Sequence, residues 1–208
     1  MPGFSDEKRA SVRERLVEEG RDRFARYGLK KTTIGELTDA VGIADGTFYQ
    51  FFDSKEALYL EILDREGEAI QPRILGPLED EADPETAIVE FLTALMDEIE
   101  TNPLLRRIVV EPRELERLRE YVSDDRLAED RERSLSYILP YVEAWYDADE
   151  IRGPNPTVIA NAIRSVSFLT LHQADIGQET YTETRDLVIR AVAKGLTIRS
   201  ESEAADIT

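Results

Sequence analysis

Apolar residues recur along most of this chain at intervals of three and four, the period of helices that bury one face. No alternating apolar and polar pattern typical of strands stands out, so the pattern predicts an all-α protein. The first helix is predicted from about Asp6 to Tyr27, and Gly28 should end it. Its buried stripe should consist of Val12, Leu16, Gly20, Phe24 and Tyr27.

The next stretch predicts two short helices joined by a tight turn. Thr33 and Glu36 have the spacing of a capping box, and Gly42 should end the first of these helices. The second should run from about Asp45 to Phe51, with Phe48 and Phe52 facing inward. Such a pair is typical of a helix-turn-helix, whose second helix enters the major groove of DNA.

Proline and glycine divide the rest of the chain. A fourth helix is predicted from Ser54, as N-cap, towards Ile74, followed by a linker at Gly76-Pro77 and the acidic residues 79–83. Three later helices should begin at pairs of a capping residue and a proline. These pairs are Asp83-Pro84, Asn102-Pro103 and Asn155-Pro156. Residues 124–146 are predicted to form one long helix, kinked or divided at Pro140.

The last two helices are apolar around most of their circumference. Their apolar positions are Val158, Ile159, Ala162, Ile163, Val166, Phe168, Leu169 and Leu171, then Leu187, Val188, Ile189, Ala191, Val192, Ala193, Leu196 and Ile198. Such helices need a cover on two sides, which favours a homodimer with a four-helix interface. The predicted interface residues are Ile163, Val166, Leu169, Val192 and Leu196.

Composition narrows the function classes. The 208 residues include no cysteine and one histidine, which excludes disulfides and thiol catalysis and argues against a metal site. No phosphate-binding glycine loop or nucleophile elbow is present, so we predict neither an enzyme nor a cofactor. With no secretory signal and no apolar run long enough for a membrane, a cytoplasmic protein is expected.

The net charge of −18 at first argues against a nucleic-acid partner. However, residues 1–55 hold ten Lys/Arg and ten Asp/Glu, whereas residues 56–208 hold sixteen and thirty-four. A neutral end that faces DNA phosphates is therefore compatible with an acidic body. Only five lysines occur beside twenty-one arginines. This acidic, lysine-poor composition favours a halophilic protein over an ordinary acidic one.

Three motifs resemble the DNA-binding signature of TetR-family (tetracycline-repressor-like) transcriptional regulators. They are residues 37–43 (LTDAVGI), 46–49 (GTFY) and 52–58 (FDSKEAL). The resemblance implies a helix-turn-helix DNA-binding domain of three helices over residues 1–55. It further implies an effector-binding and dimerisation domain of about nine helices over residues 56–208. As in the family, a homodimer would repress by binding a palindromic double-stranded DNA operator, until a small-molecule effector releases it.

The candidate DNA contacts combine residue chemistry with that resemblance. Gly46 allows the backbone close to phosphate, and Gln50 can pair with adenine. Lys55 can bind a phosphate from the first turn of the fourth helix. By resemblance, the family places backbone contacts at Thr33, Thr47, Tyr49 and Lys55. The complete set is Lys31, Thr33, Asp45, Gly46, Thr47, Tyr49, Gln50 and Lys55.

Two positions depart from the family pattern. Ala44 replaces the usual Ser or Thr N-cap of the second short helix, and Thr38 replaces a small alanine. Asp45 could supply the missing cap itself. Beside phosphates, Asp45 is otherwise repulsive unless it accepts from a cytosine amine or binds through water or a cation.

A ligand pocket is implied by the family, and its effector would be apolar or amphipathic. Candidate lining residues are Phe91, Leu95, Met96, Tyr137, Tyr141, Trp145, Phe168 and His172. The aromatic residues could equally fill a core, and His172 could make a structural hydrogen bond. The alternative for the whole chain is an acidic helical adaptor for protein partners, whose DNA-binding motif is degenerate.

Overall fold

The structure, a computed structural model, describes residues 6–80, 83–110 and 112–198. These residues are almost entirely helical and contain no strand, apart from an isolated bridge between Ile151 and Thr197. The predicted all-α class is confirmed. The helices are α1 (Asp6–Lys31), α2 (Ile34–Val41), α3 (Asp45–Phe48), α4 (Lys55–Asp80), α5 (Pro84–Thr101), α6 (Pro103–Val110), α7 (Pro112–Tyr121), α8 (Asp124–Ser136), α9 (Leu139–Asp147), α10 (Pro156–Ser165), a 3-10 helix (Val166–His172), α11 (Gln173–Ile176) and α12 (Gln178–Leu196).

The described residues form two compact units. The first unit takes residues up to 69 together with 101–123, and the second takes 70–100 together with 124–198. The first unit therefore combines α1, α2, α3 and the N-terminal part of α4 with α6 and α7. This division describes packing, and the functional boundary at residue 55 stays a prediction.

The core of the first unit is built around α1. Leu16, Phe24, Leu37 and Phe48 are completely buried in it, as the helical spacing predicts. Leu104 of α6 and Leu118 of α7 belong to the same core. The prediction for Tyr27 is wrong, because this side chain is 48% exposed.

Helix α1 is broken at Gly28, where φ is 76° and ψ is 173°, and it resumes as far as Lys31. The break frees the N–H of Leu29, which donates to Oε1 of Glu114 on α7 at 2.9 Å. Glu114 is only 5% exposed and also accepts from Arg107 at 3.4 Å. Arg107 in turn donates to the carbonyls of Arg26 and Tyr27 at 3.2 and 2.9 Å. The broken end of α1 is thus held by α6 and α7.

The helix-turn-helix has the predicted elements. The capping box of Thr33 and Glu36 is present, and Gly42 ends α2 in the left-handed conformation with φ 76° and ψ 40°. Helix α3 is shorter than predicted and ends at Phe48, so residues 49–51 form a turn. Ala44 is its N-cap residue and, as predicted, provides no side-chain hydrogen bond. The alternative that Asp45 supplies the cap is wrong, since this helix start has no side-chain cap bond.

The linker predicted at Gly76-Pro77 is wrong, because α4 continues through Pro72 and Pro77 to Asp80. Ile74, Leu75 and Leu78 around these prolines are buried, and this packing outweighs the hydrogen bonds that proline cannot donate. Residues 81 and 82 of that linker lie outside the described residues.

The predicted helix caps are confirmed. Asp83 Oδ2 accepts from Thr86 N at 2.9 Å, Asn102 Oδ1 from Leu104 N at 3.0 Å, and Asn155 Oδ1 from Val158 N at 2.9 Å. Residues 124–146 form two helices, α8 and α9, with Pro140 in the first turn of α9.

In the second unit, helix α12 is fixed to α5 by a buried arginine. Arg185 is 8% exposed and donates to Asp97 at 2.7 Å and Glu100 at 3.1 Å. Tyr181 donates to Glu100 at 2.6 Å, and burial raises the pKa of its phenol. The apolar stretch predicted as one helix over residues 158–171 is instead α10 followed by the 3-10 helix.

Candidate nucleic-acid interface

A concave site of about 410 Å³ lies at the N-terminal ends of α2 and α4. Both helices direct the positive ends of their dipoles and their free backbone N–H groups to this end, an arrangement that suits an anion. Three of the eight predicted contact residues, Thr33, Tyr49 and Lys55, line it together. Its lining consists of Thr33, Ile34, Tyr49, Asp53, Ser54, Lys55 and Glu56.

Thr33 is held in the site by its capping box. Its Oγ1 accepts from Glu36 N at 3.3 Å, and its backbone N–H donates to Glu36 Oε2 at 2.9 Å. The hydroxyl also lies 2.9 Å from the same carboxylate oxygen. These bonds from the Thr33 backbone and hydroxyl hold the pKa of Glu36 below its ordinary value. The carboxylate therefore stays ionised and fixes the start of α2.

Lys55 is half-buried and joins α4 to the end of α1. Its ammonium donates to the carbonyls of Leu29 and Thr32 at 2.7 and 3.0 Å. An ammonium carries three donors, so one N–H remains for a ligand in the site. Ser54 caps α4 as predicted, since its Oγ accepts from Ala57 N at 3.0 Å.

The recognition turn, residues 45–51, is anchored by Phe48, which is completely buried. Tyr49 is 58% exposed and packs edge-on against the Phe48 ring at 5.7 Å between ring centroids. Gln50 is also exposed, and Thr47 is half-buried. These orientations leave the Tyr49 and Gln50 side chains accessible to a groove of DNA.

Sequence reasoning missed a support from α1. Arg9 donates to the Gln50 carbonyl at 2.7 Å, and its guanidinium lies 5.5 Å from the centroid of the Phe51 ring. On the next turn of α1, Arg13 lies 4.9 Å from the Phe52 ring and pairs with Glu61. Arg9 and Arg13 are one helical turn apart, but that spacing alone could not show that they contact Phe51 and Phe52.

The other predicted contacts lie outside the concave site. Lys31 is exposed at the end of α1, and Gly46 is exposed with open space where a Cβ would lie. Asp45 is exposed, but its carboxylate Oδ1 lies 2.5 Å from the hydroxyl of Thr38 on α2.

Net charge is not what makes the site suitable for phosphate. Its lining carries one ammonium, from Lys55, and two carboxylates, from Asp53 and Glu56. Attraction for an anion must come from the helix ends and from the directed N–H of Lys55.

The residues predicted for an effector pocket are distributed between core and surface of the second unit. Phe91, Met96 and Trp145 are buried, whereas Phe168 is 48% exposed. Leu95, Tyr137 and Tyr141 are half-buried, and Tyr141 donates to Glu79 at 3.2 Å. His172 is exposed and lies 3.1 Å from Asp175, a local contact of the kind expected for a structural histidine. The pocket stays a prediction.

The residues predicted for a dimer interface also differ in their exposure. Ile163 and Val166 are buried within the second unit, which leaves them almost no surface for a partner. Leu169, Val192 and Leu196 are half-buried. The exposed apolar residues of the same segments are Val158, Phe168, Leu171, Leu187 and Ile198, from 40 to 63% exposed.

Comparison with known proteins agrees with this arrangement. Residues 16–62 match the profile of the tetR family of bacterial regulatory proteins. Over 62 residues the chain is 37% identical to the HTH-type transcriptional repressor KstR2 of Rhodococcus jostii, a match covering 30% of each chain. The matched segment thus spans less than a third of that curated relative.

Solved structures extend the similarity to the fold of nearly the whole chain. A TetR-family transcriptional regulator from Pectobacterium atrosepticum superposes with a TM-score of 0.76, at 15% identity, over 94% of this chain and 99% of its own. A TetR transcription regulator from Haloarcula marismortui gives a TM-score of 0.70, at 16% identity, over 91% and 100%.

The site and the fold define a helix-turn-helix protein with a larger helical second part. Its segment 16–62 matches the DNA-binding domain of the tetR family, and its fold is that of solved TetR-family regulators. In the described residues, no helix combines the length and the apolar character that a membrane span requires.

Proposed function

We propose that this protein is a transcriptional regulator, a repressor rather than an enzyme, which binds a palindromic operator as a homodimer. The observation that carries the proposal is the site shared by Thr33, Tyr49 and Lys55 beside an exposed recognition turn. The curated relative that matches the DNA-binding segment is named a repressor, which supports repression over activation.

The site would hold a DNA phosphate. Backbone N–H groups at the start of α2 and α4, the remaining N–H of Lys55 and the Tyr49 hydroxyl are the available donors. With the backbone fixed there, Gln50 would reach base edges, where its amide can pair with adenine. Thr33 and Lys55 would thus determine affinity, and Gln50 would contribute to sequence preference.

A homodimer is supported by the apolar surface of the second unit. Leu187 of α12 is 63% exposed and Phe168 of the 3-10 helix is 48% exposed, in segments that contact each other. A second copy would cover the same surface by twofold symmetry and would place two recognition turns on successive major grooves.

The effector would be a small apolar or amphipathic molecule bound in the second unit. The buried Phe91, Met96 and Trp145 support an apolar environment there. Binding would favour a dimer whose recognition turns no longer match the operator. Native mass spectrometry of the purified protein tests this proposal, because a retained molecule should also release DNA when added back, and one that leaves DNA binding unchanged would not be the effector.

The protein would act in the cytoplasm, where its operator is. Its acidic, lysine-poor body further favours a salt-rich cytoplasm, because salt screens repulsion among carboxylates.

The function is tested by gel retardation of a duplex from the DNA upstream of its own gene, in a series of salt concentrations. Lys55→Ala should weaken binding to all duplexes alike and lower the slope of log K against log salt by about 0.9, as expected for one lost phosphate contact. Gln50→Ala should relax preference at one base pair by about 1–3 kcal/mol. Arg131→Ala, which removes one positive charge from an exposed position on α8, is the control and should bind like wild type.

Two other outcomes of this experiment would contradict the proposal or a part of it. Equal loss of sequence preference in the Lys55 and Gln50 variants would contradict their separate roles. No retardation at any salt concentration, with a folded protein by circular dichroism, would favour the acidic adaptor. The carboxylates of Asp53 and Glu56 at the site are the observation that favours this second candidate.

A further inference from the structure

One departure from the family pattern, Thr38, contacts Asp45, the residue that follows the other departure, Ala44. Thr38 lies on α2 and is completely buried, and Asp45 is the first residue of α3. The Thr38 hydroxyl Oγ1 and the Asp45 carboxylate Oδ1 are 2.5 Å apart. Their positions in the sequence differ by seven, and the helix-turn-helix brings them together.

The hydroxyl proton of Thr38 must lie between these two oxygens. Oγ1 has two other acceptors within reach, the carbonyls of Ile34 at 2.9 Å and Gly35 at 3.1 Å. If the proton pointed to either carbonyl, a hydroxyl lone pair would face a carboxylate oxygen at 2.5 Å. Distances of about 2.5–2.7 Å are typical of a hydroxyl that donates to an ionised acceptor, the stronger class of hydrogen bond.

This bond adds to the burial of Phe48 in orienting a very short helix. Helix α3 has four residues and no side-chain cap, so it cannot be stable by itself. Thr38 is already fixed by the turn, because its carbonyl accepts from the backbone N–H groups of Gly42 at 2.8 Å and Ile43 at 3.0 Å. The Thr38 hydroxyl therefore links a rigid point of α2 to the first residue of α3.

The Asp45 carboxylate is also turned away from the recognition turn. Its second oxygen, Oδ2, lies 3.6 Å from the position where a Cβ on Gly35 would be. Both oxygens thus face α2, beside its positive N-terminal end. Both of these carboxylate contacts are thus with α2 and not with the exposed side chains of Tyr49 and Gln50.

We propose that Asp45 is a positioning residue of the recognition turn and reads no base itself. Through Thr38 it sets the orientation of α3, and with it the positions of Thr47, Tyr49 and Gln50. The missing cap at Ala44 is thereby replaced by a tertiary bond from the next residue. This inference rests on the proposed function, because it concerns how the turn meets DNA.

A double-mutant cycle tests the proposal with the full-length protein and the duplex from upstream of its own gene. Thr38→Val removes the hydroxyl and keeps the shape, and Asp45→Ala removes the acceptor. Each should weaken binding to all sequences by about tenfold or more, the size expected for a lost hydrogen bond to a charged group. The double variant should be no weaker than either single variant, since both changes remove the same bond.

Asp45→Asn is the conservative variant that separates hydrogen bonding from charge. Its amide oxygen can still accept from Thr38, so binding should return to the wild-type level or exceed it, because a negative charge near phosphates is gone. Urea unfolding of wild type, Thr38→Val, Asp45→Ala and the double variant should show the same coupling between Thr38 and Asp45 in the absence of DNA.

Three results would overturn the proposal, the third of them together with the proposed function. Altered preference at one base pair in Asp45→Ala but not in Thr38→Val would mean that Asp45 reads a base. Additive effects of the two substitutions would mean that the bond does not orient the turn. If wild type binds no DNA while the unfolding data show coupling, the bond exists but the proposed function fails, and the positioning role fails with it.

Discussion

Gly28 is the residue on which the end of α1 depends. Its φ of 76° and ψ of 173° lie in a region that is essentially restricted to glycine. A Cβ there would also lie 1.8 Å from Glu114 Oε1 and 2.4 Å from Arg107 Nε. Both the backbone conformation and the space available for a side chain therefore require glycine at position 28. The connection from α1 to the Thr33 cap begins at this residue.

We predict that Gly28→Ala lowers the free energy of unfolding by at least about 2 kcal/mol. The strained backbone alone costs about 1–3 kcal/mol, and displacement of the buried Glu114 adds to it. The measurement is urea unfolding followed by circular dichroism.

Gly67→Ala is the control for that prediction. Gly67 lies inside α4 in the same unit, with open space where a Cβ would be, so alanine there should stabilise the protein by about 0.5–1 kcal/mol. Equal stability of the two variants would show that the Gly28 conformation and the Glu114 contact contribute little.

Single residues were predictable where their role is local. Thr33, Ser54, Asp83, Asn102 and Asn155 cap helices as expected, because a cap depends on the residue and its next few neighbours. The partner of Leu29 was not predictable, since Glu114 lies 85 residues away and only tertiary packing brings it there.

At the scale of elements, the C-terminal helices show what periodicity can and cannot reveal. The excess of apolar residues predicted a second covered face; several of these residues are exposed in the single chain, and their cover stays a prediction. Which ones are exposed could not be predicted, because a 3-10 helix replaces an α-helix at Val166 and changes the register of the following side chains. Ile163, before this change, and Val166, at its start, lie in the core, whereas Phe168 and Leu171 after it face outward.

The exposed surface gives a prediction about assembly. The wild-type protein should have twice the chain mass of 23.7 kDa in solution, and Leu187→Glu should have the mass of a single chain. A charge buried in an apolar interface without a partner is strongly unfavourable, and here it would occur twice by symmetry. Light scattering after size exclusion measures the mass.

Thr182→Glu provides the matched control, since it adds the same charge to an exposed position on a different side of α12. This variant should remain dimeric. A Leu187→Glu protein that is still a dimer would place the interface elsewhere.

Helix α4 shows that proline and glycine in a short stretch of sequence are not enough to predict a linker. Pro72 and Pro77 with Gly76 have the composition of a linker, but the helix passes through all three. A local preference of a few kcal/mol is overcome when residues on both sides are buried, and burial is not visible in a short window of sequence.

At the scale of the whole molecule, the excess negative charge lies in residues 56–208. On α9, Glu143 and Asp147 are both exposed and one turn apart, and they repel each other. We expect the thermal unfolding midpoint to rise between about 0.1 M and about 2 M KCl, as the Debye length falls from about 10 Å towards 3 Å and below.

The double variant Glu143→Gln, Asp147→Asn is the control for this salt response. It should be more stable than wild type at low salt and should gain less from KCl, because part of the repulsion is already removed. A midpoint that does not depend on KCl, or an equal gain in both proteins, would contradict adaptation to a salt-rich cytoplasm.

The first unit is discontinuous in sequence, since residues 101–123 pack with the N-terminal helices. This matters for anyone who exchanges DNA-reading heads between regulators to build chimeras. A junction at residue 55 would separate α1 from Leu104, Leu118 and Glu114, which complete its core and hold its broken end. A transplanted DNA-binding head should therefore include α6 and α7. The DNA specificity of this protein can then be transferred only with two separate segments of the chain.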